Sequence, residues 1–415
     1  MSPGAIGRRT FAALANPNYR RWYAGQGVSL VGTWMQTIAQ GWLVYTLTGS
    51  GTQLGLVVAL QMVPVLILAP YAGLIADRMD KRRLIIAVQA VMAVLALILG
   101  VLTVTGRVQL WQVYVLAAAL GVATAFDNPT RQAFVSELVG PEHVRNAVTL
   151  NSVLVNAGRA VGPAMAGILI ATVGVSVCFL VNAGSYVAVI VSLLLLDRTA
   201  LRPSIPTPRS RGQLREGLRY VASTPALAVP LAMMAVIGAL AYEFQVVLPI
   251  VARETFGGGA EVYGFLTAAM GAGAVIGGLI VAGSGRTGTR AVIWSSYRFG
   301  IAILLAAAAP TMPLELVAMT LVGATSVTLL AIGNSTLQLE SRPDMRGRVM
   351  SLWAVAFLGT TPIGGPIAGY VAETAGGRAG LAMGGVTCLL AAGAAAAFIS
   401  QRERDLLARH SLRQA

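Results

Sequence analysis

Few residues of this chain could do chemistry, because most of it is apolar. Asp127, Arg131, Arg159 and Glu243 are ionisable groups set inside long apolar runs. A charge near the centre of a bilayer costs about 2.5 to 3.5 kcal/mol on insertion scales, so each needs a reason to be there. Asp127 and Arg131 are four residues apart, share one helix face and can neutralise each other. They read either as a structural pair or as a site where Asp127 takes up a proton. Arg159 is either a counter-ion to Asp127 or an anchor for close packing. Glu243 has no ionic neighbour at helical spacing, which favours substrate or proton binding over snorkelling to the surface. The two histidines, His143 and His410, lie outside the apolar runs. A proton relay would therefore use carboxylates, with Glu243 first and Asp127 second.

A milder polar set surrounds these charges. Thr33, Gln36, Thr37 and Gln40 recur at helical spacing beside Trp34 in the first run, and Gln245 follows Glu243 closely. With Asn128 and Asn334, which occupy related places in the two halves of the chain, and Arg159, they could line a mostly apolar cavity with a few polar points. Such a lining suits amphipathic molecules better than sugars. Interhelical hydrogen bonding would use the same residue types.

The elements that must position these residues are membrane spans. The chain has 415 residues, 56% of them hydrophobic, with a mean hydropathy of +0.73. Apolar runs of the roughly 20 residues needed to cross a bilayer occur at 22–46, 53–76, 84–104, 110–133, 147–171, 175–196, 225–250, 262–284, 291–309, 313–336, 349–372 and 379–400. Twelve helices place both termini on one side. With that side cytoplasmic, 24 of the 30 Lys and Arg residues fall in inside segments, as the positive-inside rule requires. The net charge of +14 thus records topology, and no nucleic-acid partner is expected. Cys178 and Cys388 lie in apolar runs without metal-ligand spacing, so neither metal nor cofactor is expected. The first run is too long for a signal-peptide core and is read as a retained span.

The chain also repeats itself. "PEHVRNAV" (141–148) with "VGPAMAG" (161–167) returns as "PDMRGRVM" (343–350) with "GGPIAG" (364–369), about half the chain away. This predicts two six-helix bundles repeated in parallel, residues 1–196 and 224–415. Residues 197–223 between them start as a proline-broken linker and end as an amphipathic basic stretch, expected along the inner membrane surface. Gly158, Gly162, Pro163, Gly365 and Pro366 would let the related fifth and eleventh helices bend, or pack closely.

One polar stretch interrupts the apolar pattern sharply. "GLIADRMDKRR" (73–83) places six charged residues in seven positions, between the second and third runs. It closely resembles the loop signature of the major facilitator superfamily, a Gly, three residues, Asp-Arg and a basic cluster. The resemblance covers the whole chain. "NYRRWYAGQGVSLVGTWMQTIAQGWLVYTLTGS", "FDNPTRQAFVSELV", "GRAVGPAMAG" and "FQVVLPIVARETFGGGAEVYG" resemble its enterobactin-exporter and macrolide-efflux branch. The resemblance implies an all-α fold of twelve transmembrane helices in two pseudo-symmetric bundles. It also implies a cytoplasmic gate of Gly73, Asp77, Arg78, Lys81, Arg82 and Arg131, in which Asp77 faces the start of helix 11; the plain alternative is a topology anchor. Asp80 stands where the pattern most often has Gly, and a left-handed turn there is expected to be tolerated. Gly285 replaces the Asp in the second-half copy, and Ala166-Gly167 stands where antiporters end in a Gly pair.

The function expected is therefore transport rather than catalysis: secondary active export of small amphipathic molecules such as a siderophore or macrolide, by proton antiport. The protein is expected to be a monomer in the cell membrane, multi-pass, with both termini cytoplasmic. A proton-coupled importer or facilitator is the alternative, and a membrane scaffold or lipid scramblase the third class. No GxxxxGK[ST] occurs, so an ion gradient, and not ATP bound by this chain, is the expected energy source.

Overall fold

The computed structural model describes residues 11–202 and 213–414, and the described residues contain helices and turns but no strand. The first six spans are α1 (Pro17–Thr48), α2 (Gly51–Arg78), α3 (Lys81–Val104), α4 (Leu110–Val139), α5 (Val144–Thr172) and α6 (Val175–Leu194). After the short α7 (Gln213–Ser223), span 7 consists of α8 (Pro225–Leu240) and α9 (Phe244–Ile250). Then come α10 (Ala260–Ser284), α11 (Thr289–Ala308) and α12 (Met312–Glu340). Span 11 consists of α13 (Arg346–Leu358) and α14 (Thr361–Ala375), and α15 (Gly377–Gln414) is the twelfth.

Eleven of these spans are long and apolar enough to cross a membrane by length and composition. The exception is α1, although it has 32 residues. Its buried Gln26, Gln36 and Gln40 lower its hydropathy, and α5 and α6 pack along it. Local chemistry sets its ends. Asn16 accepts from the N–H groups of Asn18 and Tyr19 at 2.9 and 3.2 Å with Pro17 at the first helical position, and Gly49 closes the helix at φ 64°. Span 11 is broken at Gly359–Thr360 because Pro362 starts a new helix and cannot continue the old one. In span 7, Pro249 leaves the Gln245 carbonyl without an intrahelical donor, and the Tyr263 hydroxyl lies 3.5 Å from it. α5 is one continuous helix through Gly158, Gly162 and Pro163, and a Cβ on Gly162 would meet the Trp34 Cβ at 2.6 Å, so these glycines allow close packing against α1.

The charged stretch 73–83 is also less of a loop than its composition suggests. α2 runs through Arg78 and α3 begins at Lys81, leaving two residues between them. Asp80 is not left-handed but has φ −59°, and its Oδ1 accepts from the Arg83 N–H at 3.0 Å as the cap of α3. That is a physical reason for Asp at this place. In the second-half copy, Gly285 ends α10 at φ 58°, a conformation that costs glycine little.

Within the first half, α1 packs on α5 and α6, α2 on α4, and α3 on α4 and α6; within the second, α10 packs on α12, and α11 on α12 and α15. The halves meet along two seams, α5 with α10 and α2 with α14. The internal repeat relates span 2 to span 8 and span 5 to span 11, so each seam is the image of the other, as a pseudo-twofold along the membrane normal requires.

The tightest cross-half contacts lie at the end away from the arginine-rich segments. There Gly51 faces Gly369 and Gly55 faces Gly365 so closely that a Cβ on either α2 glycine would collide with the α14 backbone. The Tyr45 hydroxyl donates to Glu254 Oε1 at 3.1 Å. Glu373 on α14 accepts from the Ser50 hydroxyl at 2.7 Å, the Thr52 hydroxyl at 2.7 Å and the Thr52 N–H at 3.0 Å. A carboxylate from one half thus caps the first turn of a helix in the other, where the helix dipole favours it. Glu373 is exposed, so about 1 kcal/mol is a fair value for this latch after solvent screening. Glu373→Ala should increase labelling of a Val58→Cys reporter by an impermeant maleimide from that end by about fivefold. Unchanged labelling would show that the glycine seam holds this end without Glu373.

Candidate functional site

The polar residues of α1 and α4 converge inside the first half, facing Gln245 of the second. A cavity of about 160 Å3 is lined by Thr33, Gln36, Thr37 and Gln40 of α1, Asp127, Asn128 and Arg131 of α4, and Gln245 of α9. An adjoining cavity of about 370 Å3 shares Thr33, Thr37, Asn128, Arg131 and Gln245, adds Trp34, and extends past Gln132 and Asn151 toward the arginine-rich end. These residues gather because α1 presents every third or fourth side chain to one side. Leu54, Val57 and Val58 of α2 supply apolar wall between the polar points.

Of the expected cavity residues, Arg159 and Asn334 line neither of these cavities. The Asn334 Oδ1 accepts from Gln338 Nε2 at 2.6 Å along α12, a local bond between neighbours one turn apart.

The α4 charges are paired with each other and hydrogen-bonded to neighbouring amides, although Gln26 Nε2 and Gln89 Oε1 are left without partners. Arg131 pairs with Asp127 at 3.0 Å and also donates to Gln26 at 3.1 Å and Asn128 at 3.0 Å; Gln89 Nε2 donates to Asp127 at 2.9 Å. Asp127 is 3% exposed, so removing one partner would leave a buried group uncompensated. The arrangement fits the structural reading of the pair.

Arg159 is not its counter-ion. The guanidinium stacks on the Trp34 ring, 5.0 Å from the centroid, and its buried Nε has no hydrogen-bond partner. Trp34, Arg159 and Gln245 border a further cavity of about 150 Å3 with aromatic walls.

Glu243 stands at the break between α8 and α9 and is 5% exposed, with Oε1 lacking a hydrogen-bond partner. Its side chain lies against Gly365, the glycine that meets Gly55 across the α2–α14 seam. The carboxyl therefore sits directly behind the contact that closes one end of the molecule. It lines none of the three cavities.

Of the gate residues, Lys81 and Arg82 turn inward within their own half. Lys81 Nζ pairs with Glu137 Oε1 at 2.7 Å, and Arg82 Nε donates to the Leu193 carbonyl at 2.7 Å. Gly73 and Arg78 lie in the last turns of α2, and Arg78 is exposed. The Asp77 side chain falls outside the described residues. Near the start of span 11, Arg348 pairs with Glu216 of α7 at 2.8 Å and the Arg342 N–H donates to the Tyr220 hydroxyl at 3.1 Å, which ties the amphipathic linker helix to the second half.

Some contributing residues escaped the sequence reading. Gln61 and Gln89 line the first cavity, and each was visible as a lone glutamine in an apolar run. Tyr242 and Phe357 could not be found by spacing, because they come together only across two helices, with ring centroids 4.8 Å apart.

Residues 8–414 match the family described as transmembrane secretion effectors. The uncharacterized MFS-type transporter YfiS of Bacillus subtilis is 28% identical over 258 residues, 61% of each chain, so the match spans under two thirds of that relative's length. The staphyloferrin A transporter of Staphylococcus aureus is 27% identical over 351 residues, 83% of this chain and 87% of that one. The enterobactin exporter EntS of Escherichia coli is 26% identical over 360 residues, 85% of each. Among solved structures, a bacterial homologue of the human lysosomal transporter Spinster, inward-facing and occupied, superposes with a TM-score of 0.73 at 13% identity, covering 92% of this chain and 96% of that one. That likeness shows the fold.

Proposed function

We infer, from the premise that this chain belongs to the transmembrane secretion effector family of the major facilitator superfamily, that it is a secondary active exporter of small amphipathic molecules. It is a multi-pass membrane transporter and not an enzyme. The finer reading is export by proton antiport through alternating access. The observation that carries it is the pair of adjoining cavities, in which polar side chains of α1 and α4 are interleaved with apolar wall and face Gln245 of the second half, tightly sealed at one end and extending toward the other. The export direction and the class of cargo are supported by the relatives, which include an enterobactin exporter and a staphyloferrin A transporter.

In this reading residues 1–196 and 224–415 rock as two bundles joined by 197–223. The arginine-rich end is cytoplasmic, which places both termini inside, and the sealed end faces outward. The state described is then open to the inside. Asp77 would engage the start of α13 only in the opposite state, when the inner end closes. The protein works as a monomer, with protons and the substrate as its partners.

Inverted membrane vesicles carrying the protein, energised by respiration and offered a panel of siderophores and macrolides, should accumulate at least one of them, and an uncoupler should abolish the accumulation. Uptake in right-side-out vesicles alone would make the protein an importer and end the export reading.

A further inference from the structure

The half-buried Arg159 is the one charged group of the central region that the reading above leaves unused. Asp127 and Arg131 neutralise each other 3.0 Å apart, and Glu243 faces the α2–α14 seam rather than a cavity. Among the described residues, Arg159 makes no ion pair and no hydrogen bond; its contact is the Trp34 ring at 5.0 Å. Stacking on an aromatic face replaces only part of what a guanidinium loses on leaving water. Its forked donors are suited to a planar, two-oxygen anion.

The surroundings define the rest of the ligand. Arg159 opens onto the cavity of about 150 Å3, walled by Trp34, Tyr242, Phe244 and Phe357, with Gln245 shared with both other cavities. Tyr242 meets Phe357 edge to face at 86° and Phe244 at 78°, a preformed aromatic surface held in place because the Tyr242 hydroxyl donates to the Ser326 carbonyl at 3.0 Å. The chamber thus offers one uncompensated cation at the edge of an aromatic box, with Trp34 and Gln245 as the wall it shares with the larger space.

We propose that this chamber binds the carboxylate-bearing aromatic end of the transported molecule, with Arg159 donating to the carboxylate and Trp34, Tyr242, Phe244 and Phe357 enclosing the ring. That the ligand is cargo rests on the export reading; that the chamber selects aromatic carboxylates does not.

The test uses the full chain, purified in detergent, and three probes of one shape: 2-naphthylacetate, 2-naphthylacetamide and 2-(2-naphthyl)ethylamine, titrated by calorimetry at pH 7. The wild-type protein should bind the carboxylate at least about tenfold tighter than the neutral amide, and the ammonium weakest, as expected where a charge-assisted bond replaces a neutral one. Arg159→Gln should bring the carboxylate down to the level of the amide while leaving amide affinity within about threefold, which also shows that the chamber still folds. Arg159→Lys, which keeps the charge but loses the fork, should retain the preference at a reduced carboxylate affinity. Equal binding of carboxylate and amide by the wild type, absence of binding by all three probes, or a preference that survives Arg159→Gln overturns the proposal. If the Gln variant does not fold, an unchanged carboxylate affinity in Arg159→Lys overturns it alone. Failure of the export reading looks different: a protein that keeps the carboxylate preference but moves no compound in an uncoupler-sensitive way.

Discussion

Glu243→Gln abolishes gradient-driven accumulation in inverted vesicles while leaving downhill exchange of the same substrate within about threefold of wild type. The expectation follows from where the carboxyl stands. Glu243 is 5% exposed, its Oε1 has no hydrogen-bond partner, and it rests against Gly365. Gly365 in turn meets Gly55 across the seam that closes the end away from the arginine-rich segments, the outer end in the proposed orientation. When the halves part there, the group just behind the seam meets water from that side; when they close, it is sealed off again. A carboxyl so placed can load a proton in one state and release it in the other. One proton moving inward contributes about 2.3 kcal/mol per 100 mV of membrane potential. That drives an outgoing molecule against roughly a fifty-fold gradient. Glutamine keeps the shape and the cavity but cannot carry the proton, so energy transfer is lost while the pathway stays. Asp127 is the weaker candidate, since its oxygens are engaged by Arg131 and Gln89. Accumulation by the Glu243→Gln protein at the wild-type rate, with the same sensitivity to uncoupler, would remove Glu243 from the coupling mechanism.

The second large effect is steric. Gly55→Val forces a side chain into the Gly365 carbonyl and the Pro366 nitrogen, both backbone atoms that cannot rotate away. Overpacking of this kind costs about 1 to 3 kcal/mol where the structure can shift to relieve it. In the proposed alternating-access cycle the relief is specific, because this contact is between two bundles that part, so the penalty falls on the state sealed at this end. The ratio of the two states should move by about five- to 150-fold toward outward-open. A Val58→Cys reporter should then label from the outside in the Gly55→Val protein and from the inside in its absence. The paired change at Gly369, whose neighbour is Gly51, should act in the same direction. A protein that folds with Gly55→Val and keeps its inside labelling would show that the seam is not what holds this state.

Much of this was legible in the residues. Apolar runs of membrane length, the half-chain repeat and the skewed placement of Lys and Arg follow from composition along the chain, because the bilayer acts on each segment separately and its demands are local. The polar face of α1 was legible for the same reason: Thr33, Gln36, Thr37 and Gln40 repeat with the helical period, and the structure turns all four into one cavity. The i, i+4 pairing of Asp127 with Arg131 is likewise a property of one helix. What the tertiary structure alone decided lies between helices. Asn334 shares its chemistry and its repeat-related position with Asn128, yet one lines the cavities and the other bonds along its own helix, since helix rotation is set by packing. Arg159 could have paired with Asp127 by charge; Arg131 already occupies that carboxylate, and Arg159 stacks on Trp34 instead. Asp80 could have served a left-handed turn, but the start of α3 at Lys81 made it a cap. The Glu373 latch joins residues 321 apart in the chain, and no spacing rule reaches that far. Sequence fixes which groups a segment offers; only the packed bundle fixes which partner each one meets, because burial lets a polar group choose only among the neighbours that are there.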